Sequence, residues 1–481
     1  MTSNADARRV WVDTLSTLPR TLVCMPASRM PRDPTMRHAL PAVLSLLVLA
    51  LLGAPVPLSA QAPALPNRLT FEQAKALMME HNPTLRAADA ERTQQRYTAQ
   101  VPALWPNPSV NVSQDRIPLP DGGIDNQLFF NLGQALPYPG IKRAQERAAD
   151  HLSDAAAFRY DEAAANAFRT LRQRYVDVVA AEARVETLRR LTEAVRTATR
   201  AADVRYQEGD FDTFGRARLR VALADFENQL AQAETEADNA RRRLATHILP
   251  DDAATFAADG ALANYTVAGT LRYRPIDAAY ETLRTQALAR RGLLNAATAR
   301  VDARSQQLRV AQLQRIPSLN LSAGPKLQET PAGTEWGYTA GISLQIPLWS
   351  MGGPQIRARE AQRQQAQALA EDMRRTVELQ VREAYAEVQS YQQRIARITD
   401  DLLVDTDSLL DDARYVYSEG ELSLVGLLDA MEAARSARTL EIDLVAGHLR
   451  SLYDLEYALG VGPNDEPPLL RGPFLQADAT D

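Results

Sequence analysis

The sequence predicts a mainly α protein with a small β part, and three observations support this. Two stretches, residues 141–208 and 355–419, contain neither proline nor glycine. The chain repeats itself at a near-constant offset. Each copy carries short segments in which apolar and polar residues alternate.

The repeat sets the frame. Pro108-Ser109-Val110-Asn111-Val112-Ser113 matches Pro317-Ser318-Leu319-Asn320-Leu321-Ser322. Gln134-Ala135-Leu136-Pro137 matches Gln345-Ile346-Pro347 after a one-residue adjustment, and Tyr206-Gln207-Glu208-Gly209 matches Tyr417-Ser418-Glu419-Gly420. The offsets are 209, 210 and 211 residues, which defines two copies of one unit. Each copy reads in the same order. A helical stretch (70–103, then 276–314) precedes a short strand after Pro108 or Pro317. A second strand ends at Pro137 or Pro347, and a very long helix, a tight turn and a returning helix follow.

A helix of some 65 residues would be about 97 Å long at 1.5 Å per residue, longer than any compact domain. The returning helices, 216–249 and 424–459, are stopped by Pro250 and Gly460. Val381, Ala384, Val388, Tyr391, Ile395, Ile398 and Leu402 recur at alternating steps of three and four; Phe168, Leu171, Tyr175, Val178, Val185 and Leu188 keep a similar register. That spacing makes a narrow apolar seam of the coiled-coil kind, between antiparallel helices. Alanines at 163–165 and 180–181 allow close approach of neighbours.

In the strands, Tyr338, Ala340, Ile342, Leu344 and Ile346 alternate with Gly337, Thr339, Gly341, Ser343 and Gln345. In the first copy, Leu128, Phe130, Leu132 and Leu136 stand against Asn131, Gly133 and Ala135. Period-two segments of about ten residues, apolar on one face and polar on the other, are the signature of a transmembrane β-barrel wall. Trp336 and Tyr338, and Phe129 and Phe130, suit an interfacial aromatic girdle. Two hairpins give four strands, too few to close around a lumen, so the barrel must be shared between identical chains.

At the N-terminus, residues 40–52 read LPAVLSLLVLALL after Arg37 and His38, and Leu58-Ser59-Ala60 precedes Gln61. This is the pattern of a secretory signal with cleavage after Ala60, the apolar run being shorter than the ~20 residues a spanning helix needs. The organisation read from the sequence is therefore 1–35, a non-native or mis-called extension; 36–60, a Sec signal peptide; 61–250, the first repeat; 251–275, a linker; 276–460, the second repeat; and 461–481, a flexible tail.

Composition excludes several function classes. A net charge of -6 argues against nucleic acid as a partner. One cysteine, Cys24, permits no disulfide framework, and five scattered histidines have no metal-ligand spacing. No catalytic constellation stands out, so neither an enzyme nor a cofactor is expected. A soluble periplasmic coiled-coil scaffold or adaptor is the alternative of another class.

From residue 69 to 460 the chain resembles the TolC-like outer-membrane efflux family. Four features carry the resemblance: the opening LTFEQAKALMMEHNPTLRAA, the motif PNPSVNVS, the strand exits QALPYPG and QIPLWSMGG, and the paired tips RYQEGDFD and YVYSEGELS. The resemblance implies a homotrimer in the outer membrane, with a shared 12-stranded barrel above a periplasmic α-barrel. It also implies two partners, a periplasmic adaptor and an inner-membrane pump, of the RND type. The stretch 134–143 resembles the heavy-metal branch, so metal cations are the expected cargo, with drugs, small molecules or secreted protein as alternatives. By the same resemblance Tyr206, Gly209, Tyr417, Gly420, Glu421, Leu422 and Ser423 form adaptor-docking tips, although Asp210-Phe211-Asp212 departs from the family's tip motif. Asp429 matches an aspartate of the periplasmic gate, with Gly426 in place of its usual partner. Asp405, Asp407, Asp411, Asp412, Glu419 and Glu421 crowd the second tip, where threefold symmetry would turn each into a carboxylate ring.

Overall fold

The computed structural model describes residues 66–120, 122–249, 265–330, 333–349, 351–399, 412–413, 415–417, 419 and 421–465, all within the unit Ala62–Asp481. The signal segment, residues 250–264, the acidic run 400–411, Gly420 and the tail from 466 lie outside them.

The chain opens with β1 (Arg68–Leu69), α1 (Phe71–His81) and α2 (Pro83–Gln100), then β2 (Ser109–Pro118) and β3 (Ile124–Leu136). Next come α3 (Pro139–Glu208) and α4 (Thr213–Ile248). The same order follows again: β4 (Thr266–Val267), α5 (Tyr280–Arg290), α6 (Gly292–Leu313), β5 (Ser318–Thr330), β6 (Gly333–Gln345), α7 (Gly353–Thr399) and α8 (Leu424–Ala458). At 70 residues, α3 is about 105 Å long. For the second long helix the described part ends at Thr399, so its expected continuity to 419 lies outside the described residues.

Each leading helical stretch is built of two helices. The first breaks at Asn82, whose side chain accepts from the amides of Thr84 and Leu85 and so caps a new helix with Pro83 at its first position. Proline suits that position because its missing N–H would have had no partner there. The second breaks at Arg291, with φ -60 and ψ 118, close to the -61 and 120 of Asn82.

α3 packs against α2, α4, α6 and α8, while α7 packs against α5, α6 and α8. The middle of each predicted seam is buried: Val381 and Val388 are fully covered, as are Leu171, Tyr175 and Val178, while Tyr391, Ile398 and Leu188 are half-buried and Leu402 lies outside the described residues. Burying each such side chain contributes about 1.5–3 kcal/mol. Two apolar clusters lie midway along the helices, one around Leu171, Tyr175 and Leu244, the other around Val381, Val388 and Leu449. A third, of Leu191, Val195, Phe226, Leu427 and Met431, lies nearer the tips. The linker is tied in as well. β4 pairs parallel with β1, and the Tyr175 hydroxyl lies 2.6 Å from the Ala268 carbonyl and 3.0 Å from that of Leu69.

Candidate functional site: the sheet face and the helical tips

The four long strands form one antiparallel sheet in the order β2-β3-β5-β6. Cross-strand partners share a face. Val110 opposes Leu132, Val112 opposes Phe130, and Leu128 opposes Leu327. Leu321 opposes Ile342, Ala323 opposes Ala340, Leu327 opposes Trp336, and Pro325 opposes Tyr338. One face is thus apolar across the full width of the sheet, and it is uncovered: Tyr338 is 89% exposed, Ile342 73% and Leu132 56%. Leu344 and Ala340 lie exposed on this face, and Leu128 is partly covered. Ile346 is exposed just past the end of β6, so it belongs to the foot of the strand.

The other face is polar. Thr339 donates to Asn131 Oδ1 at 2.6 Å, and Gln328 donates to Asp125 at 3.0 Å. Phe129 lies on this face, with the Lys326 ammonium 5.5 Å from its ring centroid. This corrects the expected girdle: Phe129 and Phe130 are adjacent in sequence, so the pleat sends them to opposite faces and only Phe130 joins the apolar one. Between β3 and β5 the ladder skips Phe130 and Asn131, opposite Pro325 and Gly324. Proline has no N–H to give, and a Cβ on Gly324 would meet the Phe130 carbonyl oxygen at 1.6 Å. Within the chain the outer edges of β2 and β6 have no strand partner among the described residues.

The tips are built alike. In the first, Gly209 has φ 86, and the Asp210 amide reaches back to the Arg205 carbonyl at 2.9 Å. This six-residue closure ends a helix through a left-handed residue, a role glycine fills without steric cost. In the second, the Glu421 amide reaches the Val416 carbonyl at 3.1 Å, the same closure 211 residues later. Asp212 then caps α4 by accepting from the Gly215 amide at 2.8 Å, and Ser423 caps α8 from Gly426 at 3.1 Å. Phe211 lies against Gly215 as Leu422 lies against Gly426. Asp210-Phe211-Asp212 and Glu421-Leu422-Ser423 thus share one cap geometry, with Phe in place of Leu and Asp in place of Ser.

Tyr206 stacks on the Arg216 guanidinium at 4.5 Å, and Arg216 bonds Asp203 at 2.6 Å. That bond, with Arg220 adding to it, holds the Asp203 carboxyl below its usual range. Tyr417 packs on the tip cluster with Leu422, and burial pushes its hydroxyl up. Asp429 is exposed on α8, between the inward-facing Leu427 and Met431 and on the opposite side of the helix. Gly420 lies outside the described residues.

Sequence reasoning missed a belt of buried charge midway along the helices. Arg172 pairs with Glu456, both more than nine-tenths covered. Arg291 pairs with Glu162 at 3.1 Å, bonds the Tyr457 carbonyl and lies over the Tyr457 ring at 4.0 Å. Arg169 bonds Asp454 at 3.1 Å. Burial pushes the Glu456 carboxyl above its usual range while Arg172 draws it back. A signal was present: Phe168, Arg172 and Val176 share one helix face, as do Leu452, Glu456 and Leu459, so each charge sits at an inward position. In the first copy Asn82 stands where Arg291 stands in the second, and it bonds the carbonyl of His247 at 2.8 Å.

Long antiparallel helices thus adjoin a sheet that is apolar on one face and, among the described residues, without a strand partner at either edge. Residues 283–461 match the family described as outer membrane efflux protein. No curated protein matches the chain. Among solved structures, the chain is similar to the Campylobacter jejuni CmeC outer membrane channel, with a TM-score of 0.65 and 17% identity over 82% of this chain and 87% of that one. It is also similar to the outer membrane protein VceC from Vibrio cholerae (TM-score 0.62, 18% identity, 82% and 96% covered). A further likeness is to the open state of the Neisseria gonorrhoeae MtrE outer membrane channel (TM-score 0.62, 18% identity, 81% and 88% covered). The chain therefore has the fold of the outer-membrane channels and resembles the TolC-like efflux family.

Proposed function

We propose that the chain is the outer-membrane exit duct of a tripartite efflux system, conducting passively what an inner-membrane pump delivers through a periplasmic adaptor. The observation that carries this reading is the sheet: an apolar face left exposed, a polar face opposite, and two edges without a strand partner among the described residues, continuous with a helix about 105 Å long. In a soluble scaffold that face would stand in water. In lipid it is the stable arrangement, provided three copies join edge to edge into one barrel, since a membrane tolerates no open sheet edge. The polar face, with Asn131, Thr339 and Lys326, then lines the lumen.

The two tips are the adaptor-docking ends, and an RND-type pump is the proposed energy source. The stretch 134–143 favours metal cations as cargo over drugs, other small molecules or secreted protein. Asp429, exposed on α8 just past the second tip, is the gate residue of this reading: three carboxylates brought together by threefold symmetry would favour cations. The test is single-channel recording of the purified protein in planar bilayers. Cation-preferring channels blocked by multivalent cations are expected, and Asp429→Ala should weaken the block and the preference while leaving assembly intact. Asp429→Ala channels with unchanged selectivity and block would remove the gate assignment, and absence of channels altogether would remove the duct.

A further inference from the structure

α2 and α6 both pack against α3, and toward the strand ends of these helices lies a cavity of about 840 Å³. Part of its wall is aliphatic: Ala149 and Ala311 are buried, and Leu152 and Val310 half-buried. Carboxamides line the rest, among them Gln94, Gln145, Gln307 and Gln314, and Arg359 reaches it from α7. Glu91 is the one acid in the lining. Residues seven apart on a helix share a face. Arg159 follows Leu152 by seven on α3, and Arg300 precedes Gln307 by seven on α6, so the same faces continue into a cluster of arginines. Two contacts join that cluster to the cavity. Arg159 lies 3.8 Å from Glu91, and Arg304 donates to Gln307 at 2.8 Å. Glu91 also accepts from Gln95 at 2.7 Å. Arg300, half-buried one turn before Arg304, has no hydrogen bond or ion pair among the described residues. Burial, with repulsion from Arg159 and Arg304, lowers its guanidinium from the usual range, and Glu91 offsets part of this.

We propose that this cleft binds an amphipathic organic anion, the arginine cluster taking a sulfonate, phosphate or carboxylate head and the aliphatic wall its apolar body. The cavity has the size of a small-molecule site. Four arginines, Arg159, Arg300, Arg304 and Arg359, stand at the cleft against the single carboxylate of Glu91. A guanidinium fork matches the oxygens of such a head group, and Arg300 has its donors free of protein partners among the described residues. An anion seated there also relieves the repulsion among three like charges. The carboxamides, which both donate and accept, suit polar substituents on the body. Arg159 lies 49 residues before the end of α3, roughly 74 Å from the first tip, so the site is separate from the tips and from Asp429 and has the opposite charge preference. The inference goes beyond the duct reading and does not depend on it.

Isothermal titration of naphthalenesulfonate into the full chain, purified in dodecyl maltoside, tests this without requiring conduction, so its outcome is separate from that of the duct. Saturable binding of one probe per chain is expected, with inorganic sulfate and the cation naphthyltrimethylammonium each bound about ten-fold more weakly or worse. Arg300→Gln should weaken the sulfonate about ten-fold, the order expected when one hydrogen bond to a charged group is lost, and Arg300→Lys should keep part of the affinity. Gln307→Glu sets a carboxylate beside Arg304 and leaves every arginine in place. It should weaken binding by a similar factor, and it carries the test should Arg300→Gln not fold. Absence of saturable binding by the unaltered chain would overturn the inference. So would an affinity unchanged in both Arg300→Gln and Gln307→Glu, since the probe would then lie elsewhere, as on the exposed apolar face of the sheet. Sulfate bound as tightly as the sulfonate would mean that the arginines act without the cavity, and the cation bound as tightly would mean that the cleft is merely apolar; either result removes the site.

Discussion

Arg172 and Glu456 meet with 8% and 1% of their side chains exposed, between α3 and α8. The Arg172 guanidinium also lies 4.3 Å from the Phe168 ring centroid and 4.8 Å from that of Tyr453. Such a pair adds little beyond what packed apolar groups would contribute, yet removing one member strands the other. Arg172→Ala should cost about 3–5 kcal/mol near neutral pH, whereas the double change Arg172→Met with Glu456→Leu should cost far less. The penalty should depend on pH with a definite sign. Burial already raises the Glu456 carboxyl, and Arg172 is what lowers it. Without Arg172 its folded-state pKa rises further above the unfolded value, so the stability it supports is present at low pH and lost as pH rises through the folded-state pKa. Thermal unfolding at pH 5 and pH 8 should show a smaller penalty at pH 5, and Glu456→Gln added to Arg172→Ala should flatten the difference. A penalty equal at both pH values would mean that Glu456 is not the group left behind. In the sequence this pair was half-legible. The inward register of both residues could be read, but a register does not say which acid on one helix meets which base on another 284 residues away.

At the scale of the element, the strands were the most readable part of the chain, because a period of two leaves each residue a choice of only two faces. The apolar sides of both hairpins predicted from alternation coincide in the folded sheet, with Leu128 opposite Leu327 and Leu132 opposite Ala323. The assignment of both Phe129 and Phe130 to one girdle broke that same rule and was corrected by it. Placing Arg at Ile342 should destabilise the protein by about 2–4 kcal/mol if the residue meets lipid near the midplane, while Arg at the neighbouring Ser343, on the polar face, should be tolerated better. Outer-membrane yield and the heat-modifiable shift of each variant measure this; equal tolerance would remove the barrel. The breaks at Asn82 and Arg291 were less visible. Asn-Pro signals a turn in the first copy, but Arg-Arg-Gly in the second carries only a weak signal, and its bend is held by contacts of Arg291 with Glu162 and Tyr457.

For the whole molecule, the free edges of β2 and β6 carry the main consequence. In a closed barrel β6 of one copy lies antiparallel to β2 of the next, and opposed residues share a face. Cysteine at Ile342 should therefore cross-link to cysteine at Val110, Val112 or Gln114, whichever the register brings within the ~7 Å that a disulfide spans between Cα atoms. It should not cross-link to cysteine at Asn111 or Ser113, which lie on the opposite face of the sheet. Non-reducing electrophoresis should show a covalent trimer for an even-numbered partner only; cross-links without that alternation would mean that the edges do not pair. Sequence alone determined the extent of α3 and of the returning helices α4 and α8, the strand faces, the repeated order of elements and the family resemblance. These follow from periodicity, from proline and glycine punctuation and from local motifs, all of which act over a few residues. Tertiary structure alone decided the neighbours: β3 beside β5 rather than the hairpins apart, the buried pairing of Arg172 with Glu456, and the matching caps of two tips whose residues differ. The first two depend on which surfaces meet across 183 to 284 residues of chain, and a one-dimensional pattern records the face a residue presents but not the partner that face will meet.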